Sequence, residues 1–95
     1  SVYAMSKAAL VGLVKGLARD LGPRGITINN VAPGPVNTDM NPAASDFARL
    51  TVERFMALPR YGTTDEIASL VAWLASPEAS YVTGANLAID GGYSA

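Results

Sequence analysis

The 95 residues suffice for one small domain, and a composition that is 49% hydrophobic with a formal net charge of −1 belongs to a globular chain, not a disordered one or a nucleic-acid binder. Cysteine and histidine are both absent, which excludes disulfides, thiolate chemistry, Ser-His-Asp and Cys-His arrangements, and the commonest metal ligand. Acid–base chemistry therefore falls to tyrosine, lysine or a carboxylate. The eight carboxylates are dispersed, so no metal is expected, and no apolar run approaches the ~20 residues that span a bilayer. The expectation is a cytoplasmic chain with no nucleic-acid and no membrane partner.

From Val2 to Leu21, Leu10, Leu13, Val14, Leu17 and Leu21 recur at helical spacing. Ala4, Ala8, Ala9, Gly12 and Gly16 occupy the other faces, which predicts a helix buried on more than one face, with another element packed closely against the two glycines. Gly22 and Pro23 end it, the glycine by a left-handed conformation and the proline by breaking the hydrogen-bond ladder. Ile26, Ile28 and Val31 then read as a short strand stopped by Pro33-Gly34. The weakly amphipathic stretch from Ala43 to Leu58 suggests short helices forming a mobile cover.

A T-x-x-E capping box, Thr63 to Glu66, precedes an apolar stripe of Ile67, Leu70, Val71 and Leu74, a helix expected to end near Ser76-Pro77. Leu87 and Ile89 mark a last short strand before Gly91-Gly92. Helix, strand, irregular segment, helix and strand make half of an α/β sheet. Two short parallel strands leave edges and helix faces without partners. The chain therefore reads as the C-terminal portion of a larger sheet whose N-terminal part is a necessary partner.

Tyr3 and Lys7, four apart, share one helix face. A phenol is too weak an acid to serve as a base at neutral pH unless a nearby ammonium stabilises the phenolate, so the pair is a candidate general acid–base. Lys7 also has donors for ribose hydroxyls. Two residues alone are more often a surface or packing pair. Likewise, Pro33-Gly34-Pro35 can be a simple turn, and Thr38 or Asp39 a cap on the next helix.

Three motifs in order change that weighting: Y-x-x-[ST]-K at Tyr3 to Lys7, R-G-I-x-[IV]-N at Arg24 to Asn29, and P-G-x-[IV]-x-T at Pro33 to Thr38. Together with R-x-G-x-x-x-E-[IV], S-x-[YF]-[VI]-T-G and a final D-G-G, they cover the whole chain, which resembles the C-terminal portion of the short-chain dehydrogenase/reductase family. The resemblance implies an α/β fold, the C-terminal part of a doubly wound parallel-sheet (Rossmann-like) domain, with residues 1–95 a fragment of a single NAD(P)-binding domain. It implies an oxidoreductase that moves a hydride between NAD or NADP and a small carbonyl or secondary alcohol. Tyr3 then matches the catalytic tyrosine, counted with Lys7 among the cofactor-binding residues, and Lys7 the lysine that assists it and holds the nicotinamide ribose. Pro33, Gly34 and Val36 match the loop against the nicotinamide, with backbone groups of Val36 on its carboxamide. Thr38 matches the residue contacting the carboxamide or pyrophosphate. A homotetramer is implied, using the tyrosine-bearing helix at one interface and the last helix and strand at another.

The family's glycine-rich phosphate loop, its N-A-G segment and the catalytic serine have no counterpart in these residues, so the 95 residues alone are expected to be inactive. An alternative is a non-catalytic nucleotide-binding regulator on the same fold, because N-T-D-M-N-P-A, residues 37–43, resembles members associated with cyclic di-GMP binding. Isolated, the chain is expected to be marginal. A cooperative monomeric thermal transition in calorimetry would contradict the fragment reading, and a broad or absent one agrees with it.

Overall fold

Helix α1, Val2–Leu21, spans the residues its periodicity marks, and Ser1 caps it by accepting a hydrogen bond from the Ala4 N–H at 3.2 Å. The computed structural model describes all residues from 1 to 95. Four further elements follow: β1, Asn30–Pro33; α2, Asp46–Phe55; α3, Thr64–Leu74; and β2, Asn86–Ile89. None of the helices is long and apolar enough to cross a membrane.

The helix stop is one step more elaborate than expected. Gly22 remains right-handed at φ −55°, the chain tightens into a 3₁₀ turn over Gly22–Arg24, and the left-handed glycine is Gly25 at φ 73°. Proline at the second position of that turn lacks only an N–H that would be free there anyway, so the break falls after it.

β1 and β2 form a two-stranded sheet. The Asn30 N–H donates to the Ala85 carbonyl at 2.9 Å and the Gly34 N–H to the Ile89 carbonyl at 3.1 Å. Both partners advance by four residues, so the strands are parallel. The strand begins at Asn30 instead of near Ile26, because a ladder needs a partner and β2 reaches back only to Asn86. Upstream, Ile28 is tied by its N–H to Thr83 Oγ1 and by its carbonyl to the Gly84 N–H at 2.7 Å.

The chain divides into two compact units. The first, Ser1–Val31 with Ala72–Leu87, holds α1 and the first halves of the strands. Its buried residues are Val14, Ala18 and Ala79. Asn29 bridges its turn, donating to the Val82 carbonyl at 3.0 Å and accepting from the Ala85 N–H at 3.1 Å. The expected burial of α1 on more than one face is not found: Leu10 and Leu13 are exposed, and apart from the helix's own neighbouring backbone nothing lies within 4 Å of where a side chain on Gly12 or Gly16 would start. This chain offers packing partners to a single stripe of the helix.

The second unit, Ala32–Val71 with Ala88–Ala95, holds α2, the greater part of α3 and the ends of the strands. Ala48 and Tyr61 are its buried residues. The segment after α2 is tied down where the Ala57 and Leu58 N–H groups both donate to the Gly91 carbonyl, at 3.0 and 2.8 Å, and Phe55 meets Tyr93 with ring centroids 5.9 Å apart. Asp90 organises the chain end, accepting from the N–H groups of Gly92 and Ser94 and from the Ser94 hydroxyl. These bonds hold its carboxyl below the usual range.

Gly34 packs directly on this turn. A side chain there would place its Cβ 2.7 Å from the Asp90 Cα and 3.0 Å from the Asp90 carbonyl oxygen, both backbone atoms that cannot yield cheaply. Gly34→Ala in the full-length protein is therefore expected to cost about 1–3 kcal/mol by chemical denaturation. Unchanged stability would show that the loop and the Asp90 turn are not packed as described.

Candidate functional site

Tyr3 and Lys7 lie in the first two turns of α1, and the spacing brings them together as the sequence implies: Lys7 Nζ sits 5.5 Å from the centroid of the Tyr3 ring. Tyr3 is 73% exposed, and no carboxylate pairs with Lys7. Ser6, between them, donates its hydroxyl back to the Val2 carbonyl at 2.9 Å and turns no polar group toward the pair. The site thus presents a phenol and an unpaired ammonium side by side, the elements of a proton-transfer pair.

The second cluster, Pro33, Gly34, Val36 and Thr38, starts at the last residue of β1, in the other unit. Val36 forms an isolated parallel bridge with Gly62. The Gly62 N–H donates to the Pro35 carbonyl and the Asn37 N–H to the Gly62 carbonyl, each at 3.0 Å. In that geometry the groups flanking Val36 face Gly62, and the N–H and C=O of Val36 itself face the other way, with no partner in the chain. One donor beside one acceptor is the complement of a primary carboxamide, so the loop fits such a ligand group.

Thr38 does not cap a helix. Its Oγ1 accepts from the Asn41 N–H at 3.1 Å and closes a four-residue turn, while Ser45 caps α2 by accepting from the Ala48 N–H at 3.0 Å. The Thr38 hydroxyl hydrogen has no acceptor in the chain and is free to donate outward. The Asn37 side chain accepts from the Ala43 N–H at 2.8 Å and links this loop to the segment before α2.

Behind the loop stands a charged clamp that the motifs contain but did not disclose as a contact. The Arg60 guanidinium grips Glu66 through two hydrogen bonds, 2.7 and 2.9 Å, and also donates to the Tyr61 carbonyl at 3.1 Å. Glu66 completes the capping box, accepting from the Thr63 N–H at 3.0 Å while its own N–H donates to Thr63 Oγ1 at 3.1 Å. The arginine foremost, then the Thr63 N–H, pull its carboxyl down to about 2. Pairing R-x-G-x-x-x-E with the overlapping T-x-x-E would have located this clamp from sequence.

The family model described as enoyl-(acyl carrier protein) reductase matches residues 1–94. The structure of a short chain dehydrogenase from Burkholderia cenocepacia J2315 in complex with NADP superposes with a TM-score of 0.89 at 54% identity, over 100% of this chain and 38% of that one. The chain belongs to the short-chain dehydrogenase/reductase family. Its fold is the C-terminal part of a doubly wound, parallel-sheet Rossmann-like domain. Among its relatives in this family, the cyclic-di-GMP-binding biofilm dispersal mediator protein of Escherichia coli is 56% identical over 95 residues, which are all of this chain and 40% of that protein. The 3-oxoacyl-[acyl-carrier-protein] reductase FabG of Salmonella typhimurium is 51% identical over 90 residues, 95% of this chain and 37% of the reductase. The chain thus spans about two fifths of the length of the relatives it matches.

The clamp carries a pH signature. A glutamate whose carboxyl titrates lower when folded than when unfolded adds stability above its unfolded value, ~4.3, and loses it as pH falls through about 2. The difference in Tm between the full-length protein and its Glu66→Gln variant is therefore expected to be widest at neutral pH and to close between about pH 4 and 2. A difference independent of pH over that range would show that the carboxylate is not clamped.

Proposed function

We propose that this chain supplies the proton-transfer pair and the nicotinamide-facing loop of a cytoplasmic NAD(P)-dependent oxidoreductase acting on a small carbonyl or secondary alcohol. In this reading it is the C-terminal part of one NAD(P)-binding domain, residues 1–95, and works with the remainder of that domain. The observation that carries the reading is the exposed Tyr3 with the unpaired Lys7 ammonium 5.5 Å from its ring. The similarity to a reductase of 3-oxoacyl groups and to a dehydrogenase holding NADP supports it. The apolar side chains exposed on α1, Val2, Met5, Leu10 and Leu13, support its burial by further protein, including other copies in a homotetramer.

A bound nicotinamide would supply the hydride chemistry. Tyr3 donates its hydroxyl proton to the carbonyl oxygen during reduction and takes a proton from the alcohol during oxidation. Lys7 offsets the negative charge left on the phenol oxygen and offers its remaining donors to the ribose hydroxyls. Val36 would hold the carboxamide through its free N–H and C=O, and Thr38 would offer its hydroxyl to a carboxamide or phosphate oxygen. Gly34 sets the loop against the Asp90 turn, with Pro33 before it as the last residue of β1.

A second reading has its own observation, the 56% identity over the whole chain to a protein named for binding cyclic di-GMP. On it, the same fold binds a nucleotide messenger without turnover.

Tyr3→Phe in the full-length protein is expected to lower kcat for carbonyl-dependent NADPH or NADH oxidation by ~10²–10⁴-fold while leaving cofactor binding nearly unchanged. Near-normal turnover would remove Tyr3 from the chemistry. Calorimetric titration with NADPH, NADH and cyclic di-GMP separates the two readings. Tight cyclic di-GMP binding without carbonyl-dependent oxidation would replace the enzyme by the regulator.

A further inference from the structure

We propose that Tyr61 and Asn41 are positioning residues that hold Thr38 in its ligand-facing geometry, an inference that rests on the cofactor reading of Thr38 given above. Tyr61 is only 4% exposed, and a buried phenol needs a hydrogen-bond partner. Its hydroxyl donates to Asn41 Oδ1 at 3.2 Å, across twenty residues of chain. Asn41 uses its backbone for Thr38: its N–H donates to both the Oγ1 and the carbonyl of Thr38, at 3.1 and 3.2 Å, and its carbonyl accepts the Thr38 N–H at 3.3 Å. The turn is therefore closed locally by weak, exposed bonds and anchored to buried protein through the Tyr61 hydroxyl.

The anchor is itself fixed. The Tyr61 carbonyl is held by Arg60, whose guanidinium is clamped on Glu66, and the next residue, Gly62, carries the bridge to Val36. Two consecutive residues thus hold the two ligand-facing positions of the loop, Gly62 through its backbone and Tyr61 through its side chain. The Asn41 contact also fixes the chemistry at Thr38. With the Asn41 N–H occupying the Thr38 oxygen, the hydroxyl hydrogen is directed to an external acceptor such as a carboxamide or phosphate oxygen. Released from the turn, Thr38 would sample other rotamers and lose that directed donor.

The test uses the full-length protein with Tyr61→Phe, which keeps the buried ring and deletes only the hydroxyl, and Asn41→Ala, which deletes the acceptor from a half-buried position. The readouts are the Kd for NADPH and NADH by calorimetry, KM against kcat, and amide hydrogen exchange at Asn41 in the cofactor-free protein. Each variant is expected to raise Kd and KM for the preferred cofactor by ~2–10-fold, the equivalent of one hydrogen bond, with a smaller change in kcat and faster exchange at Asn41. The double variant is expected to bind no more weakly than Asn41→Ala alone. Thr38→Ala separates the two levels of inference. If it weakens cofactor binding and Tyr61→Phe and Asn41→Ala do not, the positioning role is overturned and the cofactor reading stands. If Thr38→Ala leaves binding unchanged, the cofactor reading of Thr38 fails and the positioning role goes with it. A lower Tm in Tyr61→Phe with unchanged Kd and unchanged Asn41 exchange would show that the ring only packs.

Discussion

The bidentate grip of Arg60 on Glu66 is the constraint on which the loop-bearing unit depends. One carboxylate does two tasks there: it completes the cap of α3 through the Thr63 N–H, and it immobilises a guanidinium that reaches on to the Tyr61 carbonyl. Residues 60–62 consequently form a rigid step beside the helix N-terminus. The Pro33 to Asn41 stretch hangs from this step at Gly62 and Tyr61, and is pressed from its start by the close approach of Gly34 to Asp90. Both ion-pair partners are about half exposed, so their value here lies more in fixing geometry than in bulk stability.

The unit bearing α1 follows a different logic. It buries Val14, Ala18 and Ala79, all small or medium side chains, and relies on polar ties instead: Ser1 at the helix start, Lys15 donating to the Gly84 carbonyl at 3.3 Å, and Asn29 bridging Val82 and Ala85. Most of the helix surface, Tyr3 and Lys7 included, is left open. An exposed phenol next to an ammonium is an inexpensive arrangement on a helix, where i and i+4 side chains meet without tertiary help. The Tyr3–Lys7 pair is thus set by local structure, whereas the loop groups are set by contacts distant in sequence.

That division explains what could be read from the residues alone. The extent of α1, the capping box at Thr63 and Glu66, and the Tyr3–Lys7 face are local patterns, and each emerges where its spacing places it. The start of β1 is set by where β2 begins, fifty-six residues downstream, and Ile26 and Ile28 have the right propensity but no ladder partner. Gly22 and Gly25 are equally permissive, and only the 3₁₀ turn decides which is left-handed. The apolar residues and glycines of α1 predict a crowded helix, but this chain packs one stripe of it. The Tyr61–Asn41 bond has no sequence signature, because the two residues lie in separate motifs twenty residues apart and Tyr61 fills an unspecified position of its own.

On the proposed reading, the free backbone groups of Val36 and the outward hydroxyl of Thr38 hold a nicotinamide cofactor. A crystal structure of the full-length protein grown with NADPH measures this directly. The carboxamide is expected within hydrogen-bonding distance, ~2.7–3.2 Å, of the Val36 N–H and C=O, with the Thr38 hydroxyl donating to a carboxamide or phosphate oxygen. NADPH bound elsewhere, with Val36 and Thr38 facing solvent, would contradict it.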